Sequence, residues 1–345
     1  MKKTINLFLI CVFMISGVCA QDAAITNFVN EGIKLHDKGD YEAAVDLYKK
    51  ALLLNPNSAI ANYEIASSYL ALKNYQNAIN YSNKVIAASS DYVDQAYIIK
   101  GTALDLSGKP KEAVKVYKEG IKKHNSNYLL YYNLALTASK SKDYSEATDA
   151  LVKGLQINPA HASSHLLLGN IMAVQKHRVK SILALYNFLL LEPKSKRATP
   201  AYNLLEEQIK KGVKKENEKS VTVTLPGKND DDEFYTAELM LGLLEASKTN
   251  EANKNKTAME LFTENSNSFF SILGEMKKDN HGFWWNFYVE YFYDMANNNH
   301  TEAFCYYIYQ LSKPDIYNAW FADNLPKLEA FSTWYSNYER KPVIK

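Results

Sequence analysis

Gly39-Asp40-Tyr41-Glu42-Ala43-Ala44 returns in altered form as Lys73-Asn74-Tyr75-Gln76-Asn77-Ala78, and again as Lys142-Asp143-Tyr144-Ser145-Glu146-Ala147. Each stretch is a short polar turn running into an apolar segment, and a small residue closes it. The small residue that opens the pattern falls at Gly32, Ala66, Gly101, Ala135 and Gly169, in steps of 34, 35, 34 and 34. A second small-residue column keeps the same steps at Ala44, Ala78, Ala113, Ala147 and Ser181. Two independent columns on one period predict a repeated helix-turn-helix unit. Two antiparallel helices approach closely only where one of the facing side chains is small. Larger apolar residues fill the space beside that point, in the first unit Phe28, Leu35, Tyr41, Leu47 and Tyr48. Pro56, Pro159 and Pro193 stand just past apolar second helices, where proline ends the helix.

The columns, the Gly-Asp-Tyr type of turn and the closing prolines resemble those of the tetratricopeptide repeat family, over about residues 25 to 195. Ser90 and Asn125 depart from the closing proline, Pro110 from the turn tyrosine, and His165 stands where a large residue is usual. The resemblance implies an all-α fold, a right-handed superhelix of about five repeats. Its concave face, lined by the first helices, would take an extended peptide or a partner helix. Family groove positions fall here on Asn30, Tyr63, Glu64, Thr102, Tyr132, Asn133 and Asn170, the candidate partner-binding residues. The family's carboxylate clamp needs a Lys and Asn pair in the first unit, whereas this chain has Val29 and Ile33 there. A stacked array needs its last face covered, and Tyr202, Leu204, Leu205 and Ile209 at helical spacing predict a capping helix near Pro200 to Val213.

Before the repeats, Lys2 and Lys3 precede the apolar run Leu7 to Ile15, and Val18-Cys19-Ala20 ends it with small residues. This predicts a secretion signal over residues 1–20, cleaved after Ala20, and a place in the periplasm or envelope. The run is too short for a bilayer span, which needs ~20 residues. Branched Val18 before Cys19 argues against acylation there. With Cys11 and Cys19 removed only Cys305 remains, so packing alone must hold the fold. The chain without its leader is formally neutral, and 47% of the whole is apolar. That balance argues against a dedicated nucleic-acid or anionic-membrane binder, which needs a basic excess.

After the repeats the helical period stops. A basic run, a strand-like Val221-Thr222-Val223-Thr224-Leu225 and the acidic Asp230 to Glu233 mark a linker over 213–232, between a repeat domain over 21–212 and a domain over 233–345. The last domain reads as six helices and holds all four tryptophans, with nineteen aromatic residues in 281–345. Phe283 to Tyr293 carries rings on every side, as a central buried helix does. Trp320, Trp334 and Tyr335 offer the alternative of a glycan-stacking platform. His161 and His165 sit four apart without a third metal ligand beside them. No catalytic motif stands out, so no catalytic, cofactor or metal residue is assigned. The expected function is a non-enzymatic scaffold that binds another envelope protein or peptide.

Overall fold

A computed structural model describes residues 21–217, 220–224 and 232–340. The expected signal segment, Cys19, and the acids Asp230 and Asp231 lie outside the described residues. The described chain is all-α apart from one β-hairpin. It divides into two compact units, Met1–Ile157 and Asn158–Lys345.

The first unit consists of four helical hairpins. They pair α1 (residues 21–37) with α2 (Tyr41–Leu54), α3 (Ala59–Ala71) with α4 (Tyr75–Ala88), α5 (Val93–Leu106) with α6 (Pro110–Lys123), and α7 (Tyr128–Lys140) with α8 (Tyr144–Ile157). Within a hairpin the two helices trade volume. A Cβ on Gly32 would lie 2.3 Å from the Tyr48 ring, and one on Gly101 would lie 2.4 Å from the Tyr117 ring. Where the first helix instead carries Ala66, the residue matching those tyrosines is Ser82. The predicted small residues are fully buried, as close helix contact requires.

The turns repeat as faithfully as the helices. Gly39, Lys73, Gly108 and Lys142 all take positive φ, and the next backbone N–H in each case reaches back five residues to a carbonyl of the first helix. This left-handed closure satisfies the last carbonyls of one helix. Asp40, Asn74 and Asp143 then accept from an N–H of the first turn of the next helix. Pro110 opens α6, where its missing N–H costs nothing.

The second unit begins with the fifth hairpin, α9 (Ala162–Val174) and α10 (Arg178–Leu191), followed by α11 (Ala198–Lys210). β1 (Val213–Asn217) and β2 (Ser220–Val223) then pair antiparallel, with Val213 opposite Val223. There follow α12 (Tyr235–Ser247), α13 (Ala258–Met276), a π-helical turn over Trp284–Val289 running into α14 (Glu290–Asn297), α15 (Thr301–Ile308) and α16 (Pro314–Asn337). Helix α16 bends at Asn324, two residues before Pro326. The hairpin strands rest on α12, where Gly242 leaves room for the Val223 side chain.

The unit boundary falls three helices, the α9–α10 hairpin and α11, ahead of the stretch that composition marks as a linker. The reason lies in α10, which is apolar all round. Residues 181 to 190 are all buried, and α9, α11, α12, the π-turn and α15 surround them. Such a helix has no face left for solvent and becomes a hub. At its centre the Tyr186 ring meets Phe262, Phe270, Phe292 and Phe304, and its hydroxyl shares a 3.0 Å hydrogen bond with Ser266. Arg178, at the start of α10, donates from Nε and Nη2 to the Gln208 and Ile209 carbonyls at the end of α11, both at 2.6 Å. A cation at a helix C-terminus meets both the free carbonyls and the dipole.

Candidate functional site

The candidate groove residues sit on the first helices of the repeats. Asn30 is exposed on α1, Tyr63 and Glu64 are half-buried on α3, Thr102 is half-buried on α5, and Tyr132 and Asn133 are half-buried on α7. Asn170 is exposed on α9, in the second unit. Several of them also serve the fold. Tyr63 packs on the core of Ala66, Ala78, Ile99 and Ala103, and its ring stacks on Tyr92 at 5.1 Å. Thr102 Oγ1 shares a 3.1 Å hydrogen bond with the Tyr117 hydroxyl. Asn133 Nδ2 donates to the Leu129 carbonyl one turn back, at 2.8 Å.

Glu64 differs from these. Burial and, less strongly, the negative charge of Asp37 raise its pKa, and no ion pair joins either carboxylate among the described residues. The charges of Glu64 and Asp37 also act on Tyr48, whose hydroxyl is fully buried and has no hydrogen-bond partner among the described residues. Beside it, His36 Nδ1 and Ser68 Oγ share a 2.8 Å hydrogen bond. The groove positions alone do not point to Asp37, Tyr48 or Tyr92. Setting the first and third repeats side by side singles out Tyr48, which then matches Tyr117 while Ile33 stands where the third repeat has Thr102.

In the second unit the imidazoles and rings are already engaged. His165 is wholly buried, with Nε2 2.9 Å from the Pro159 carbonyl and Nδ1 2.7 Å from the Tyr288 hydroxyl. A carbonyl only accepts, so Nε2 carries the proton and Nδ1 accepts from the tyrosine. Burial lowers the His165 pKa to about 3, which keeps the ring neutral. His161 points to Ser164 instead, and no group of three or more His, Cys, Asp or Glu is placed to hold a metal among the described residues. Cys305 is buried, which pushes its thiol pKa up to about 12.

The proposed glycan-stacking residues are spent on internal contacts. Trp320 is buried, stacked on Tyr306 at 4.5 Å and 11°, and donates from Nε1 to Glu302. Trp334 packs among Tyr291, His300, Phe331 and Tyr338, and Tyr335 stacks on Phe331. On the π-turn, Trp285 donates to Glu233, which also pairs with Lys180 at 2.7 Å. Trp284 and Phe234 lie under the same Lys180 ammonium. These contacts follow from ring density, since each flat face needs another surface to cover it.

Residues 32–72 match a family model described as a TPR repeat, and residues 59–92 and 128–161 match one described as a tetratricopeptide repeat. These segments carry the tetratricopeptide repeat pattern. Such repeats are protein-interaction scaffolds. Among curated proteins, the chain is similar to the small glutamine-rich tetratricopeptide repeat-containing protein 2 of Mycosarcoma maydis, 32% identical over 34% of this chain and 35% of that protein. It is also similar to the BBSome complex member BBS4 of Bos taurus, 24% identical over 50% of this chain and 31% of that protein. The chain therefore spans about a third of the curated relatives it matches. Among solved structures, a thermophilic TPR protein of Thermus thermophilus aligns at 19% identity and a TM-score of 0.45, over 53% of this chain and 100% of that one. No helix among the described residues is long and apolar enough to cross a membrane.

Proposed function

We propose that this chain is a non-enzymatic scaffold of the bacterial cell envelope, holding an extended peptide or a helix of a partner protein on the first-helix face of its tetratricopeptide repeats. The observation that carries this reading is the mixed character of that face. Tyr63 and Glu64 of α3 and Tyr132 and Asn133 of α7 stand at matching positions and stay part-exposed, beside a buried set on the same helices that includes Ile65 and Ala66, and Leu134 and Ala135. Aromatic and amide groups so spaced supply apolar anchors and backbone hydrogen bonds to an extended segment. A groove already formed in the free protein orders little on binding, so more of the contact energy becomes affinity. The basic and apolar leader before Ala20 supports export.

Capture from a solubilised envelope extract tests the reading. The full chain should retain a defined protein, and the Tyr63→Ala/Asn133→Ala variant, shown by circular dichroism to remain helical, should lose most of it. Equal retention by the two forms would place the binding surface elsewhere.

A further inference from the structure

Two positions of the second helix are polar and exposed in each of the first four repeats. They hold Asp46 and Lys50 on α2, Asn80 and Lys84 on α4, Lys115 and Glu119 on α6, and Asp149 and Lys153 on α8. In the fifth repeat the same positions are Leu183 and Asn187 on α10, and the elements packed round that helix bury both. At the first position burial goes with an apolar residue. At the second an amide remains, 1% exposed, and its Nδ2 has no hydrogen-bond partner among the described residues. The next-door hydroxyl of Tyr186 is satisfied by Ser266, so the core supplies polar partners where it uses them. A buried donor left unmade costs more than an apolar group of the same shape in its place, and Asn187 is therefore a liability to the fold alone.

Asn187 borders an open cleft of about 490 Å³ that lies wholly within the second unit, together with Leu191, Tyr291, Tyr335, Tyr338 and Arg340. The Tyr291 hydroxyl is a second buried group without a partner, whereas the Tyr338 hydroxyl is spent on Asp294 at 2.8 Å. Arg340 follows α16 and donates from Nη1 to the Phe287 carbonyl in the π-helical turn. Its guanidinium lies 4.4 Å from the centre of the Phe287 ring and 4.3 Å from that of Tyr291. The two rings hold the flat group in place, and its Nε and Nη2 stay unbonded among the described residues. No carboxylate pairs with Arg340 among those residues either. Glu339, the one acid among the described residues lining the cleft, is exposed. A part-buried cation without a counter-ion, an unmet amide and an unmet hydroxyl thus border one space.

We infer that the cleft bordered by Asn187, Tyr291 and Arg340 is a binding site for a small organic carboxylate. Arg340 offers the planar pair of N–H donors that a carboxylate matches, along with the positive charge that it needs. Asn187 Nδ2 and the Tyr291 hydroxyl can donate to the lone pairs that remain, since two carboxylate oxygens accept about four hydrogen bonds. The apolar body of the ligand lies against Leu191 and the Tyr335 and Tyr338 rings. Mostly apolar walls with a few convergent polar groups are the usual make-up of a small-molecule site. This site does not rest on the first-helix face proposed above for a partner protein.

The probes are benzoate and hexanoate, with benzamide and hexanamide as neutral counterparts of the same shape, each titrated into the full chain by calorimetry. At least one acid should bind, and its amide should bind about tenfold more weakly, the effect of one charge-assisted contact. Arg340→Gln should weaken the acid by a similar factor, and Arg340→Lys, which keeps the charge without the planar fork, should fall between. Asn187→Leu distinguishes a ligand group from a structural one. It should weaken the acid and at the same time raise the urea midpoint of the ligand-free chain, because it removes an unmade hydrogen bond. Neither acid bound, acid and amide bound alike, or an affinity unchanged in Arg340→Gln would overturn the site. A lowered urea midpoint in Asn187→Leu with the affinity intact would overturn it too, since the amide would then serve the fold.

Discussion

At the scale of single residues, His165 shows how a chemically suggestive side chain becomes structural. Its spacing from His161 hints at metal binding, yet the fold spends both ring nitrogens on Pro159 and Tyr288. The consequence is a measurable pH dependence. The folded ring takes a proton only near pH 3, whereas an unfolded histidine takes one near 6.5. A depressed folded pKa means that the unfolded chain binds the proton first as pH falls. The contribution is therefore complete above pH 6.5, declines below it, and has lost about 2 kcal/mol by pH 5. Groups that share the pocket, Arg340 and His161, push in the same direction, since a nearby positive charge disfavours a second one. Urea unfolding at pH 7, 6 and 5 should show this decline in wild type and a clearly smaller one in His165→Gln, which hydrogen-bonds without titrating. A wild-type midpoint that stays level from pH 6.5 to 5 would contradict the assignment.

Among elements, the hairpin is the unit that the sequence spells out. Small-residue columns are readable because helix contact tolerates nothing larger at the crossing, and the turns are readable because only a left-handed residue closes them. Lys73, Lys142 and Lys176 occupy that conformation without being glycine, so the repeated hydrogen-bond closure outweighs their side-chain strain. Which residue answers each glycine across the hairpin is less visible, since a period reports equivalence between repeats and says nothing of contact within one. For that reason Thr102 reads as a groove residue, although its hydroxyl faces Tyr117. Gly101→Ala makes the pairing testable. The added methyl would meet the Tyr117 ring at 2.4 Å, and overpacking of that kind costs about 1–3 kcal/mol, more than the ~1 kcal/mol that alanine gains in helix propensity. In a Tyr117→Ser background, which copies the Ala66 and Ser82 pair, the same change should cost nothing. Equal losses in both backgrounds, measured by chemical denaturation, would remove the volume exchange from the account.

Over the whole chain, the repeat period and the aromatic density are both legible, and what the period conceals is where the compact units divide. The fifth hairpin keeps the period of the other four, but α10 reads Ile182-Leu183-Ala184-Leu185-Tyr186 and then Phe188-Leu189-Leu190, leaving no polar face. A helix with one apolar stripe can stack on a neighbouring hairpin, whereas one with apolar residues all round needs cover on every side, and the aromatic helices supply it. All four tryptophans lie in that second unit, which makes their fluorescence a report on it alone. Trp284, Trp285 and Trp320 are at most 9% exposed, and Trp334 is half-buried among other rings. A quencher such as acrylamide must touch an indole to act, so the native protein should show a Stern–Volmer constant several-fold below that of the urea-unfolded chain, with only a minor accessible fraction contributed by Trp334. The same burial means that added oligosaccharide should leave the emission spectrum unmoved. Native quenching close to the unfolded value would show the rings to be open to solvent. The aromatic helices would then be a binding surface in their own right, and α10 would lack the cover that its composition demands.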